Sequence, residues 1–196
     1  MTTEFNEFPK GKIRLSSYHA RYDLASDKAI EYSNNLSKQK ITWIDVGCGD
    51  EISIEQNLRQ TFYRFKNERR NIWYIGVDLY NEPKLPEDFR KKGLEVYFDF
   101  VIADARMLPF RDRVADIVTE YGASKTAREG KEIREEIARI IKRSLFIYTE
   151  CSSTIPLEED LSLTLIFLKG SGEWYLEKIY LDVFKKRVIY QFERIE

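Results

Sequence analysis

The sequence predicts an α/β protein built on a doubly wound, mainly parallel sheet of about seven strands that ends in a C-terminal antiparallel hairpin. Three observations predict it. Short, nearly continuous apolar runs alternate with helix-spaced segments, the order that builds a parallel sheet with right-handed crossovers. The first run stops at an acid and breaks at once into two glycines, Asp45-Val46-Gly47-Cys48-Gly49. The end of the chain changes character, with strand-like residues 174–184 and 188–192 flanking Lys185-Lys186.

At 196 residues the chain is long enough for one domain with a sizeable core. Residues 1–40 are expected to form an N-terminal helical extension to a sheet-bearing unit over 41–196, a single domain overall. The 32 basic and 33 acidic residues nearly cancel, so no global field draws the chain to nucleic acid or an anionic membrane. No apolar run reaches the roughly 18 residues of a spanning helix, and Met1-Thr2-Thr3-Glu4 lacks the plan of a signal peptide. The expected location is the cytoplasm. Two cysteines, Cys48 and Cys151, make neither a disulfide framework nor a metal site.

The N-terminal residues to about Lys12 read as a tail, and Tyr18 to Lys38 as one or two helices with Ser26 as an internal N-cap. His19, the lone histidine, cannot anchor a metal cluster and reads as a surface or packing residue. The first strand is the apolar run from Ile41. Beyond Gly49, Ile54, Leu58, Phe62 and Phe65 paint one helical face, and Ser53 with Gln56 has capping-box spacing. A strand, a glycine turn and a helix start together let a nucleotide approach the backbone.

The second strand, residues 71–78, is apolar almost throughout, as a strand covered on both faces should be. It too ends on an acid, Asp78, placed to accept hydrogen bonds from ribose hydroxyls or simply to begin a loop. The third strand runs over about 95–103 and leads into Ala103-Asp104-Ala105; the fourth covers 115–119. A helix over 132–142 precedes a fifth strand at 145–149. A further helix starts at Pro156 and stops at Lys169-Gly170. In such sheets ligands sit at the carboxyl ends of the strands, so Asp45, Asp78 and Asp104 are expected to converge on one edge.

These residues resemble a class I S-adenosylmethionine-dependent methyltransferase over roughly 41–151, which implies a Rossmann-like fold and that cofactor. By this resemblance Asp45, Gly47, Cys48 and Gly49 form the first cofactor-binding motif, and Asp78 holds the ribose. Asp104 faces the adenine amine, with the Ala105 backbone at the ring nitrogen; Leu108-Pro109-Phe110 and Asp116 complete the later motifs. Glu120 and Tyr121, at the end of the fourth strand, are the implied residues nearest the methyl group, with Glu120 as a cofactor contact or a catalytic residue. The chain departs from the pattern in three places. Glu51 stands where the family has a third glycine, Lys142-Arg143-Ser144 replaces a Pro-Gly-Gly turn, and Glu120-Tyr121-Gly122 lacks the motif of amino-methylating nucleic-acid enzymes.

The expected activity is therefore methyl transfer to an acceptor that the sequence does not identify. A second expectation is a catalytically silent module that keeps the fold for binding or as a partner subunit. A nicotinamide-dependent oxidoreductase fits less well, because a third fingerprint glycine is missing and Asp104-Ala105 has no role there.

Overall fold

The computed structural model describes residues 12–14, 20–36, 40–49, 61–68, 70–79, 87–94, 97–121, 123, 130–150, 157–169, 172–182 and 187–195. In chain order the strands are β1 (Lys12–Arg14), β2 (Ile41–Val46), β3 (Ile72–Asp78), β4 (Phe98–Ile102), β5 (Ala115–Tyr121), β6 (Ile141–Glu150), β7 (Trp174–Asp182) and β8 (Arg187–Arg194). The helices are α1 (Ala20–Asn35), α2 over residues 61–67, α3 (Glu87–Lys91), α4 (Lys131–Ile140) and α5 (Leu157–Lys169).

All eight strands belong to one sheet in the order β1-β7-β8-β6-β5-β2-β3-β4. The run from β4 to β6 is parallel throughout, whereas β8 pairs antiparallel with both β6 and β7. The chain builds outward from β2 through β3 to β4, then returns to lay β5 on the other side of β2. That reversal leaves a crevice at the carboxyl ends of β2 and β5, where an open α/β sheet receives ligands.

Both faces of the sheet are covered, which is why its strands read as apolar runs. Ile41, Trp43, Ile72 and Tyr74 pack with Tyr22, Ala25 and Ala29 of α1, Phe62 and Phe65 of α2, and Phe89 of α3. Ile44, Val46, Ile75 and Val77 face the other way, with Ile137 and Ile140 of α4 and Leu161 and Leu168 of α5. The period of two along each strand thus separates two cores.

Three local expectations need correction or extension. Helix α1 is continuous, and Ser26 is buried inside it rather than capping a second helix. Tyr22, Ala25, Ala29 and Ile30 form one buried stripe with Ser26 at helical spacing, and packing that stripe outweighs the serine's preference for a cap. A short edge strand, β1, precedes the first expected one and pairs parallel with β7. Among the described residues the sheet therefore has eight strands, and β1, the one beyond the expected seven, is three residues long. Finally, α4 passes into β6 without a loop: Ile141 already has φ −79° and ψ 142°, and its N–H bonds the carbonyl of Ile137. A register shift between Ala115 and Ile117, against Ile141 and Ser144, takes up the extra residue. Among the described residues no helix is long and apolar enough to cross a membrane. His19, Cys151 and the expected helix start at Ser53 lie outside the described residues.

Candidate functional site: a glycine turn at the sheet's point of reversal

The turn after β2 is held against β3. The N–H groups of Gly47 and Cys48 both donate to the Val77 carbonyl, at 2.9 and 3.2 Å. Gly47 and Gly49 have φ of 76° and 80°, the left-handed region that a side chain disfavours. Cys48, between them, is turned inward and fully buried. It sits so close to β3 that a Cβ on Gly76 would lie 3.0 Å from its Sγ and 3.3 Å from the Phe100 ring. The thiol plugs the core, and what the turn offers a ligand is backbone.

Asp78 stands at the end of β3 and accepts a 3.0 Å hydrogen bond on Oδ2 from the Gly49 N–H. The acid of the second strand is thereby tied to the turn of the first. Asp104 follows β4 and meets Arg106, whose backbone N–H and Nε reach Oδ1 at 2.9 and 3.0 Å, with Nη2 at 2.6 Å from Oδ2. Those hydrogen bonds, from the side chain first and then the backbone, lower the Asp104 pKa from 3.8 to about 2. Ala105 is half-buried beside it.

Asp45 does not reach this edge. Its carboxylate is fully buried on the α1 side of the sheet. It accepts hydrogen bonds from Tyr22 (2.8 Å), Tyr74 (2.7 Å) and Thr119 (2.5 Å). Trp43 Nε1 donates to the same Thr119 hydroxyl at 2.9 Å. Burial, and next the Asp45 charge, push the Tyr74 pKa well up. The expected convergence of three carboxylates is thus replaced by two at the edge and one beneath it, where Asp45 ties α1 to the motif strand. The reason is the pleat: Asp45 shares the parity of Trp43, which points toward α1.

Glu120 lies opposite Val46 in the pairing of β5 with β2, beside the glycine turn. Its side chain points to the α4 face and is fully buried, with Oε2 3.3 Å from Nη2 of Arg134. Asp50 and Glu51 lie outside the described residues, as does the side chain of Tyr121.

Sequence reasoning missed two features of this edge. Leu79, Ile102 and Met107, at or just beyond the ends of β3 and β4, are 56%, 60% and 78% exposed. They leave apolar surface flanking Asp78 and Asp104. Arg134 is the other. It falls three residues before Ile137 and four before Ala138, on the buried stripe of α4. A charge at an apolar position of an amphipathic helix was the available signal. Among the described residues no group of three or more His, Cys, Asp or Glu is placed to hold a metal ion.

This fold and edge define a class of protein. The family model described as "Methyltransferase domain" matches residues 44–148, more than half of the chain, and the chain belongs to that family. No curated protein matches it in sequence. Among solved structures it is similar to the YcgJ protein of Bacillus subtilis, at 15% identity and TM-score 0.58, covering 91% of this chain and all of that one. It is likewise similar to magnesium protoporphyrin IX methyltransferase from Synechocystis, whose structure holds S-adenosylmethionine. There the identity is 14% and the TM-score 0.56, with coverage of 92% and 86%. A third is a putative methyltransferase in complex with the Haloferax volcanii Trm112 methyltransferase activator, at 16% identity, TM-score 0.53 and coverage of 92% and 100%. At these identities the structural likeness speaks for the fold.

Proposed function

We propose that the chain is an S-adenosylmethionine-dependent methyltransferase acting on an acceptor still to be identified. The observation that carries the reading is the Gly47–Gly49 turn at the sheet's reversal point, bound through its last N–H to Asp78. The edge suits this cofactor in three respects. The left-handed glycines leave backbone open to the amino-acid end. Asp78 supplies carboxylate oxygen to the ribose, and Asp104 with the Ala105 N–H meets the adenine edge. The exposed Leu79, Ile102 and Met107 offer apolar surface to the base.

When bound, the sulfonium supplies an activated methyl group whose bonding pair stays on sulfur as the acceptor's lone pair forms the new bond. The protein's task is then to orient the partners and exclude water. A base is needed only for an acceptor that must lose a proton. Glu120, buried and paired with Arg134, supports a part in shaping the end of β5 better than direct proton transfer in this conformation. The acceptor side is then either an open site for a macromolecule or a small pocket closed by residues 1–40, the extension to the unit over 41–196. The cytoplasm remains the expected place of action. The Trm112 complex of a fold neighbour makes a protein partner worth testing.

Calorimetric titration with S-adenosylmethionine and S-adenosylhomocysteine tests the reading, followed by radiolabel transfer to RNA, protein and small-molecule pools. Micromolar binding with transfer into one pool is the expected result. Binding without transfer to any pool identifies the silent module, and no binding removes the reading.

A further inference from the structure

Among the described residues Arg134 has the most buried side-chain polar atoms without a hydrogen-bond partner. Its side chain is 1% exposed, and Nε, Nη1 and Nη2 have no hydrogen-bond partner among the described residues. Among the described residues its one ionic neighbour is the Glu120 carboxylate, at 3.3 Å and outside hydrogen-bonding geometry. A guanidinium carries five N–H donors in a rigid fork. Buried donors normally find acceptors, and each one left over carries a desolvation penalty.

The place of this fork in the fold gives it meaning. Helix α4 ends where β6 begins, and β6 runs parallel to β5. The helix therefore runs antiparallel to the strands, and its amino end lies on the same edge as the Gly47–Gly49 turn. Helical side chains lean toward the helix N-terminus, and Arg134 stands one turn in, three residues after Lys131. Gly130 is the N-cap and provides no side-chain cap, while the Arg134 N–H is the first to bond back, to the Gly130 carbonyl. The N–H groups of Lys131, Glu132 and Ile133 precede it and have no partner within the helix. A helix amino end and a buried guanidinium thus add positive potential at one spot.

We propose that the amino end of α4, with the Arg134 fork, binds a compact oxyanion (a carboxylate or phosphate group) carried by the methyl acceptor. Arg134 engages Glu120 with one part of its fork and presents the rest to the ligand. Glu120 fixes the fork and keeps the empty site from carrying a bare buried cation. The assignment of the oxyanion to the acceptor rests on the methyltransferase reading; the anion site itself does not.

The test uses the full chain labelled with nitrogen-15, and sodium acetate or inorganic phosphate as probe, at constant ionic strength in chloride. The Arg134 Nε–H resonance and the amides of Lys131, Glu132 and Ile133 are followed by NMR. Saturable shifts of these resonances with either probe are expected, and the probe that saturates at lower concentration tells carboxylate from phosphate. In Arg134→Met the half-saturation concentration should rise at least tenfold. Arg134→Lys, which keeps the charge and loses the fork, should fall between. Shifts that stay linear in both probes, or the same half-saturation in a folded Arg134→Met chain, overturn the proposal. If Arg134→Met does not fold, the native titration and the lysine variant still decide. Calorimetry with S-adenosylmethionine on the same sample separates the two ideas. Cofactor binding without an anion response refutes this site alone, and an anion response without cofactor binding refutes the methyltransferase reading alone.

Discussion

The Gly49 N–H donates to Asp78 Oδ2 at 3.0 Å, joining residues 29 positions apart in the chain. The bond makes the β2 turn and the β3 end a single unit. Removing the carboxylate therefore loosens the turn and, on the proposed reading, the cofactor as well. Asp78→Ala should weaken S-adenosylmethionine binding roughly 10–100-fold, since hydrogen bonds to a charged acceptor contribute about 1.5–3 kcal/mol. Asp78→Asn keeps an acceptor for Gly49 and should hold the melting temperature of the apo protein nearer the parent's. Calorimetry and thermal melts of both variants check this, and unchanged cofactor affinity in Asp78→Ala would remove the ribose role.

Asp45 makes a different prediction because it lies beneath the edge. Its oxygens accept from Tyr22, Tyr74 and Thr119 in full burial. Tyr22→Phe and Tyr74→Phe should each cost about 1.5–3 kcal/mol of stability. Their double variant should depart from additivity by at least ~0.5 kcal/mol, because both donors serve one acceptor. Urea unfolding gives these numbers. Cofactor affinity should move less than threefold in Tyr22→Phe, whereas a large loss would mean that Asp45 meets the cofactor itself.

The part of this architecture legible in the sequence was the part where one constraint dominates. Strands β2 and β3 read correctly because burial on both faces makes the whole run apolar, and the glycine turn because a left-handed backbone demands glycine. Strand β1 was not legible, because Lys-Ile-Arg has no pattern of its own and pairs only because β7 offers an edge. Ser26 misled because its local preference for a cap is weaker than the stripe it completes. The inward turn of Asp45 follows from strand parity, but it becomes visible only when Tyr22 and Thr119, from α1 and β5, are seen to meet it. Arg134 needed its partner on another element before its position on α4 could be understood.

The Glu120–Arg134 pair has side chains 0% and 1% exposed, so removing Arg134 strips this ion pair from a buried carboxylate. Arg134→Met should destabilise by about 3–5 kcal/mol, as for other buried pairs that lose one member. The double variant Glu120→Leu/Arg134→Met should recover most of that loss, because well-packed apolar replacements of such pairs are often neutral or better. Chemical denaturation of the singles and the double makes the comparison. A double variant as unstable as the worse single would show that the pair's surroundings, more than the pair, set the cost. Glu120→Gln, which keeps the shape and removes the charge, should affect turnover on any acceptor found more than it affects cofactor affinity.

Asp104 and Arg106 predict a pH dependence whose sign can be worked out. The Arg106 hydrogen bonds lower the Asp104 pKa from 3.8 to about 2, so the folded chain gives up this proton more readily than the unfolded one. The stability from the pair is therefore fully present above 3.8 and is lost as pH falls through about 2. An NMR titration of the Asp104 carboxyl carbon should show a midpoint near 2, moving back toward 3.8 in Arg106→Ala. The same variant bears on the cofactor. Arg106 occupies both carboxylate oxygens that an adenine amine would approach. Because the pair is largely exposed and therefore weak, freeing Asp104 should tighten S-adenosylmethionine binding by roughly fivefold at most. Weaker binding by tenfold or more in Arg106→Ala would instead show that the guanidinium itself lies against the bound base, with Asp104 serving to hold it flat.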